Sequence, residues 1–142
     1  MKNFIDLTDE EKEMVLNWRN HPRIRENMYS SDEISLQEHL SFIENLKGDV
    51  KNRYFLVGDI GIIYFNNIHK DFVEIGLYSN PKKYGVGNFL IEKILEYNFR
   101  TLYLEVIETN KKAIDLYLRY GFKIKEKKIK KDKMIICMEL RR

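Results

Sequence analysis

The sequence predicts an α/β domain built on a mixed, largely antiparallel central sheet flanked by helices. Three observations carry that expectation. Apolar residues recur at helical spacing as far as Leu46, then change to strand-like alternation from Tyr54 to Tyr78. Beyond Gly87 the two periods alternate, and the chain closes on two consecutive strand patterns. The order is helices, antiparallel strands, a β-α-β-α unit and a hairpin, which is the signature of a mixed sheet. The 142 residues suffice for one domain and not for two ordinary ones, so residues 1–142 are expected to fold as a single unit.

Each element has a local reason. Asn3 to Leu7 reads as a short first strand. Thr8 or Asp9 caps a helix running through Trp18, with Asp9, Glu10 and Glu11 in the first turn, where the helix dipole favours anions. His21-Pro22 breaks that helix, and Pro22 begins a short second one. Ser35-Leu36-Gln37-Glu38 is a capping box, followed by Leu36, Leu40, Ile43 and Leu46 at helical spacing until Lys47-Gly48-Asp49 stops the run. Tyr54–Val57 and Ile60–Phe65 form two strands around a Gly58-Asp59 turn, and Phe72–Tyr78 forms a third. Gly87 to Phe99 is helical, with Leu90, Ile91, Ile94 and Leu95 on one face. Thr101 to Ile107 is a strand, Lys111 to Tyr120 a helix ended by Gly121, and two strands follow from Phe122.

Composition excludes several classes. Hydrophobic residues make up 44% and charged residues 33%, a balance that buries a core and does not describe a disordered tail. No apolar run approaches the ~18 residues of a membrane span, and Asp6, Asp9 and Glu10 stand where a signal peptide needs its apolar core. No membrane partner is expected. The single cysteine, Cys137, forms no internal disulfide and no Cys/His cluster, so no metal is expected and the setting reads as reducing and cytoplasmic. The net charge of +3 is uneven, because seven lysines fall between Lys123 and Lys133. Ile124 and Ile129 within that run mark it as the wet face of a strand pair with a few inward residues. It lacks the aromatic interleaving of a single-strand binding platform, so no nucleic-acid partner is expected.

The sharpest motif is Lys82-Lys83-Tyr84-Gly85-Val86-Gly87-Asn88, between a strand and its helix. Glycines let backbone N–H groups approach a phosphate, and the helix N-terminus adds partial positive charge. Such a turn is otherwise purely structural. A Walker loop is excluded, since Gly-Lys-Ser/Thr is absent. A dinucleotide fingerprint wants a small residue where Leu90 stands, and its ribose acid, Glu105, lies inside a strand instead of at its end. Coenzyme A remains. A second segment, Leu104 to Phe122, runs from the next strand through the next helix, with Asn110 at their junction and Tyr117 on the stripe of Ala113, Leu116 and Tyr120.

With both segments in view, the chain resembles the GCN5-related N-acetyltransferases. The glycine turn looks like their Gln/Arg-x-x-Gly-x-Gly/Ala coenzyme motif, with Lys82 departing from the usual Gln or Arg. Asn110-x-x-Ala113-x-x-Leu116-Tyr117-x-x-x-Gly121-Phe122 looks like their closing motif. The resemblance implies the acetyltransferase fold, splayed where the strands near Tyr78 and Glu105 part, with acetyl-CoA as cosubstrate in the gap. It further implies coenzyme contacts from Leu77, Tyr78, Lys82, Lys83, Tyr84, Gly85, Val86, Gly87, Asn88 and Asn110. Trp18-Arg19-Asn20-His21-Pro22, Met28-Tyr29, Glu38-His39-Leu40-x-Phe42-Ile43 and Arg53-Tyr54-Phe55-Leu56 are similar to the acetyltransferases of bacterial pseudaminic acid biosynthesis. That subfamily acetylates the 4-amino group of a UDP-linked 4-amino-4,6-dideoxy sugar, which makes a UDP-amino-sugar the implied partner.

Acetyl transfer to an amine needs a neutral amine, a polarised carbonyl, a proton sink and help for the leaving thiolate. Backbone N–H groups near Leu77 and Tyr78 are the candidates for the carbonyl, and Tyr117 for the sulfur. A phenol pKa of ~10 against a thiol's ~8.5 makes full proton transfer uphill by roughly 2 kcal/mol, which favours a strong hydrogen bond. Glu105 is the candidate base, in a setting with Tyr103 and Ile107 that reads as apolar and raises a carboxyl pKa. Its other reading is a carboxylate paired with Arg19 or a lysine, and Glu74 is the runner-up base. For the acceptor, Arg19 and His39 are assigned to the diphosphate or uracil, and Met28, Tyr29 and Phe42 to the base or sugar, with Tyr64 and Asn66 beside them. Acceptors of another kind, such as a protein N-terminus, and a silent acyl-coenzyme-A binding module are the competing functions. An exposed carboxy-terminal strand leaves a homodimer open.

Overall fold

Two capping boxes set the amino-terminal helices. Thr8 and Glu11 close one over the first turn of α1 (Asp9–Asn20), and Ser35 and Glu38 close the other over α3 (Leu36–Leu46). Each box pairs backbone donors that a helix start otherwise leaves orphaned. Pro22 opens the one-turn α2 (Pro22–Arg25), where its fixed φ and missing N–H suit the first position. The computed structural model describes residues 1–142.

The remaining elements are β1 (Lys2–Asn3), β2 (Arg53–Val57), β3 (Gly61–His69), β4 (Phe72–Ser79), α4 (Gly87–Leu95), β5 (Thr101–Ile107), α5 (Lys111–Arg119), β6 (Lys123–Lys130) and β7 (Lys133–Arg141). They form one open sheet in the order β1-β2-β3-β4-β5-β7-β6, antiparallel throughout except for the central β4–β5 pair. No helix is long and apolar enough to cross a membrane.

The helices cover the two faces unequally. Leu90, Ile91 and Ile94 of α4, with Ile114 and Leu116 of α5, pack on Ile63, Phe65, Val73, Ile75, Leu102 and Leu104. On the opposite face Val15 and Trp18 of α1 and Ile43 and Leu46 of α3 close over Leu56 and Ile62. At the far end of that face, Ile107, Ile135 and Cys137 lie beneath Tyr29 and Tyr103. The open stretch between these clusters is where the site forms.

Four expectations about the elements shift, the first being the strand expected over Ile60–Phe65, which runs from Gly61 to His69. The strand read over Asn3–Leu7 is confined to Lys2–Asn3, because Asn3 Oδ1 accepts from the Ile5 N–H at 3.2 Å and turns Phe4–Asp6 into a 3-10 helix. The stripe of α3 that enters the core is His39, Ile43 and Leu46, while Leu36 and Leu40 face solvent. Both stripes obey helical spacing and share Ile43 and Leu46, so spacing alone does not choose between them. Helix α4 stops at Leu95 rather than Phe99, and the Arg142 guanidinium collects the carbonyls of Leu95, Tyr97 and Phe99.

The central pair positions the site. β4 and β5 are in register only over Phe72–Glu74 and Thr101–Tyr103, although β4 continues to Ser79 and β5 to Ile107. Beyond Glu74 and Tyr103 the two strands part, leaving edge N–H and C=O groups facing each other across a gap.

Candidate active site

Two cavities open along this gap. The larger, of about 840 Å³, runs from the β4–α4 turn past the parted strands to α5, and the smaller, of about 350 Å³, lies under α1 and α3. Met28, Tyr64 and Tyr78 line both, so the two meet at these side chains.

The turn end of the cleft is built from unused donors. Starts of α1, α3 and α5 are each capped by a side chain, Asn110 doing so for α5 through the Ala113 N–H, but the N-cap position of α4 is Val86, which offers no side-chain cap. The first-turn N–H groups of Gly87, Asn88 and Phe89 are thus left for an anion. Gly85 holds a left-handed φ of +71°, which only glycine adopts without cost. A Cβ on Gly87 would lie 2.9 Å from Leu116 Cδ2, so that glycine lets α4 start against α5. Arg23 braces the turn: its guanidinium donates to the carbonyls of Pro81 (2.5 Å) and Lys83 (3.1 Å) and sits 4.0 Å over the Tyr84 ring. Lys83, Lys111, Lys112 and Arg119 add positive charge to the lining. An uncapped helix start, a cationic rim and parted strands fit a pyrophosphate followed by an extended chain.

At the junction, the Tyr64 ring lies across β4. A Cβ on Gly76 would stand 1.9 Å from Tyr64 Cζ and 2.0 Å from its hydroxyl, so the ring fills the space that any other residue at 76 would occupy. Tyr64 stacks on Tyr54 at 4.8 Å, and Phe42 meets Tyr54 edge-on at 4.9 Å. Tyr117 is 5% exposed and packs on Phe122, and burial pushes its phenol pKa up. The only sealed, unpartnered side-chain nitrogens or oxygens are Arg19 Nη1 and Arg25 Nε, so the unbonded Tyr117 hydroxyl keeps its opening to the cleft.

The smaller cavity has a charged donor and a neutral acceptor. Arg19 carries the buried, unpartnered Nη1 among Tyr78, Tyr64 and Tyr54; burial first, opposed by those phenols, lowers its pKa while leaving it cationic. His39 is 5% exposed and its Nε2–H donates to the Lys12 carbonyl at 2.9 Å, leaving Nδ1 as an acceptor. Burial lowers its pKa, so the ring stays neutral at neutral pH.

Of the residues singled out in the sequence, Leu77, Tyr78, Lys83, Tyr84, Gly85, Val86, Gly87, Asn88, Glu105, Asn110 and Tyr117 line the cleft. Arg19, Met28, His39, Phe42 and Tyr64 line the smaller cavity. Lys82 is exposed and lines neither, its backbone N–H donating to Asn80 Oδ1. Asn66 is outside both and donates to the Tyr54 hydroxyl at 3.1 Å, and Tyr29 is outside both because its hydroxyl is spent on Glu105. Sequence reasoning missed Arg23, whose contacts span about 60 residues. It also missed Tyr54 as a lining residue, although strand alternation opposite Tyr64 signals the shared face.

The expected apolar setting of Glu105 is overturned. Burial would raise its carboxyl, but hydrogen bonds from Lys128 (2.7 Å), Tyr29, Tyr103 (2.7 Å) and Lys130 (3.1 Å) outweigh it and hold the pKa at about 2. Lysine pairing, the other sequence reading, is what forms. Glu74 lines neither cavity, and its carboxylate accepts from Asn67 at 3.0 Å. Because the folded pKa of Glu105 lies below its ordinary 4.5, the stability it contributes is complete above about pH 4.5 and is lost as pH falls toward about 2. Urea midpoints between pH 5 and pH 2.5 are expected to fall less steeply in Glu105→Gln than in the wild type.

The acetyltransferase (GNAT) family model matches residues 5–122. The chain belongs to that family. It is an acetyl-CoA-dependent N-acetyltransferase, and its parted sheet is the acetyltransferase fold. It is 38% identical to the acetyltransferase PseH of Campylobacter jejuni strain 81-176, over 98% of this chain and 92% of that one. The crystal structure of C. jejuni N-acetyltransferase PseH in complex with acetyl coenzyme A superposes with a TM-score of 0.80 at 32% identity, covering 99% of this chain and 96% of that chain. A spermidine N-acetyltransferase from Vibrio cholerae shares the fold, with a TM-score of 0.84 at 21% identity, over 95% and 92% of the two chains.

Proposed function

We propose that this acetyltransferase moves acetyl from acetyl-CoA to the 4-amino group of a UDP-linked 4-amino-4,6-dideoxy sugar, as a step of pseudaminic acid biosynthesis. The observation that carries the proposal is the meeting of a phosphate-ready cleft with a second, aromatic cavity at Met28, Tyr64 and Tyr78. The cleft takes the coenzyme, with its pyrophosphate on the uncapped start of α4 and the rim cations around it. The smaller cavity takes the acceptor. Arg19 supplies a desolvated fork for phosphate oxygens, His39 Nδ1 accepts from a base or sugar donor, and Phe42 and Tyr54 give flat apolar walls. A polyamine fits this cavity poorly, because Arg19 repels cations and the lining has one carboxylate, Glu38, one oxygen of which already accepts from the Ser35 N–H.

The coenzyme supplies a thioester-bound acetyl group. The acceptor nitrogen forms the new N–C bond as the C–S bond breaks, and the proton lost from nitrogen leaves through water. The Leu77 N–H of β4, which faces the gap where β5 departs, stabilises negative charge on the carbonyl oxygen, while alternation turns the Tyr78 N–H toward β3. Tyr117 holds its proton firmly, since burial pushes its pKa up, and so assists the departing sulfur as a hydrogen-bond donor without giving the proton away.

The test is turnover. Purified protein with acetyl-CoA is expected to acetylate the UDP-4-amino sugar with kcat/KM of at least about 10⁴ M⁻¹s⁻¹, while spermidine and peptide amines run at background. Transfer to a peptide or polyamine but not to the sugar would overturn the proposed acceptor.

A further inference from the structure

The basic run is only in part an outward patch: Lys123, Lys125, Lys127 and Lys131 are exposed, as a solvated strand face requires. Ile124 and Ile129, expected to include the inward residues, are 49% and 72% exposed. The side chains that turn in are lysines. β6 and β7 pair so that Lys128 lies opposite Ile135 and Lys130 opposite Lys133, on the face that carries Glu105. Lys128 Nζ reaches Glu105 Oε2 at 2.7 Å and Lys130 Nζ reaches Oε1 at 3.1 Å. Lys130 also lies 4.7 Å over the Tyr29 ring, and Lys133 Nζ donates to the Met28 carbonyl at 2.8 Å.

Glu105 is the centre of this arrangement. Its Oε1 accepts from Tyr29 and Lys130, and its Oε2 from Tyr103 and Lys128. A carboxylate has about four lone-pair sites, and here four donors fill them. A water carrying the amine's proton finds no lone pair free. What the four donors achieve is mechanical: three are fixed to the sheet, Tyr103 on β5 and Lys128 and Lys130 on β6, and one, Tyr29, belongs to the segment after α2 whose Met28 lines both cavities.

We propose that Glu105 is a positioning residue and not the base: with Lys128, Lys130 and Lys133 it pins the Met28–Tyr29 segment to the β6–β7 hairpin and so fixes the wall between the donor cleft and the acceptor cavity. This rests on the smaller cavity being the acceptor site. The two roles predict opposite signs for the lysines. If Glu105 were the base, removing Lys128 would make it a stronger proton acceptor, and kcat would hold or rise. As a strut, Glu105 loses its hold when either lysine goes, and the acceptor cavity loosens while the coenzyme cleft does not.

Both lysine side chains are partly exposed (39% and 46%), so Lys128→Met and Lys130→Met spare the core. In each, the acceptor KM is expected to rise about tenfold, with acetyl-CoA KM and kcat within about twofold. Lys128→Arg is expected to restore the acceptor KM, and Glu105→Gln to behave as the lysine variants do. A kcat loss of about 10² or more in Glu105→Gln with an ordinary acceptor KM, or unchanged kinetics in both lysine variants, would overturn the proposal. Hydrogen exchange of residues 26–35 without any substrate supplies a second readout, expected to quicken in the double lysine variant while β4 stays protected. Unchanged exchange there would contradict the strut even if the acceptor proved to be a different amine, and a wild type silent toward the sugar would count against the acceptor alone.

Discussion

Tyr117→Phe is expected to lower kcat by about 10²-fold, leave the acetyl-CoA KM within about twofold, and keep the fold intact. The change removes one oxygen from a ring that packs on Phe122 and sits in the apolar cluster beneath the cleft. No hydrogen bond of the protein is lost, because the hydroxyl makes none, so the effect falls on the reacting atoms. Steady-state kinetics with the UDP-4-amino sugar read it, and a thermal melt within a degree or two of wild type separates it from damage. A variant with ordinary kcat would remove Tyr117 from the chemistry.

Gly76→Ala is the second large effect. Its methyl group would stand 1.9 Å from Tyr64 Cζ, far inside contact distance, and the rigid ring has to swing away. The Tyr54 stack goes with it, and so does the shape of the junction between the cavities. A stability loss of about 1–3 kcal/mol is expected from such overpacking, together with a kcat/KM loss of at least about 10²-fold from the displaced wall. Replacing Tyr64 by alanine in the same chain is expected to recover much of the urea midpoint but not the activity, giving a strongly non-additive cycle. Independent, additive effects at the two positions would contradict the interlock.

What sequence made legible follows local rules, and what it hid depends on distant partners. The helix cap at Thr8 or Asp9, which falls on Thr8, the capping box at Ser35, the Gly58-Asp59 turn, the Gly85 turn and the β5–α5 junction are decided within a few residues, and the structure has them. The parting of β4 from β5 was reached through resemblance, because no residue within either strand announces where a partner leaves. The α3 stripe is ambiguous in sequence because two stripes share Ile43 and Leu46, and the bond from His39 to the Lys12 carbonyl belongs to the one that is buried. Glu105 was misread for a related reason. Its own strand offers Tyr103 and Ile107, whereas Lys128 and Lys130 arrive from more than twenty residues later and Tyr29 from 76 residues earlier. The isoleucines of β6 lie outward because an edge strand with no helix over that side has nothing to bury them, while long lysine stems cross to the carboxylate.

A structure of the chain with acetyl-CoA and the UDP-4-amino sugar both bound bears on all of this at once. The thioester sulfur is expected in the space between β4 and β5, within hydrogen-bond reach of the Tyr117 hydroxyl, with the sugar amine approaching past Met28, Tyr64 and Tyr78. A coenzyme lodged elsewhere, or the strands drawn together beyond Glu74 and Tyr103 with the amine kept from the thioester, would refute it.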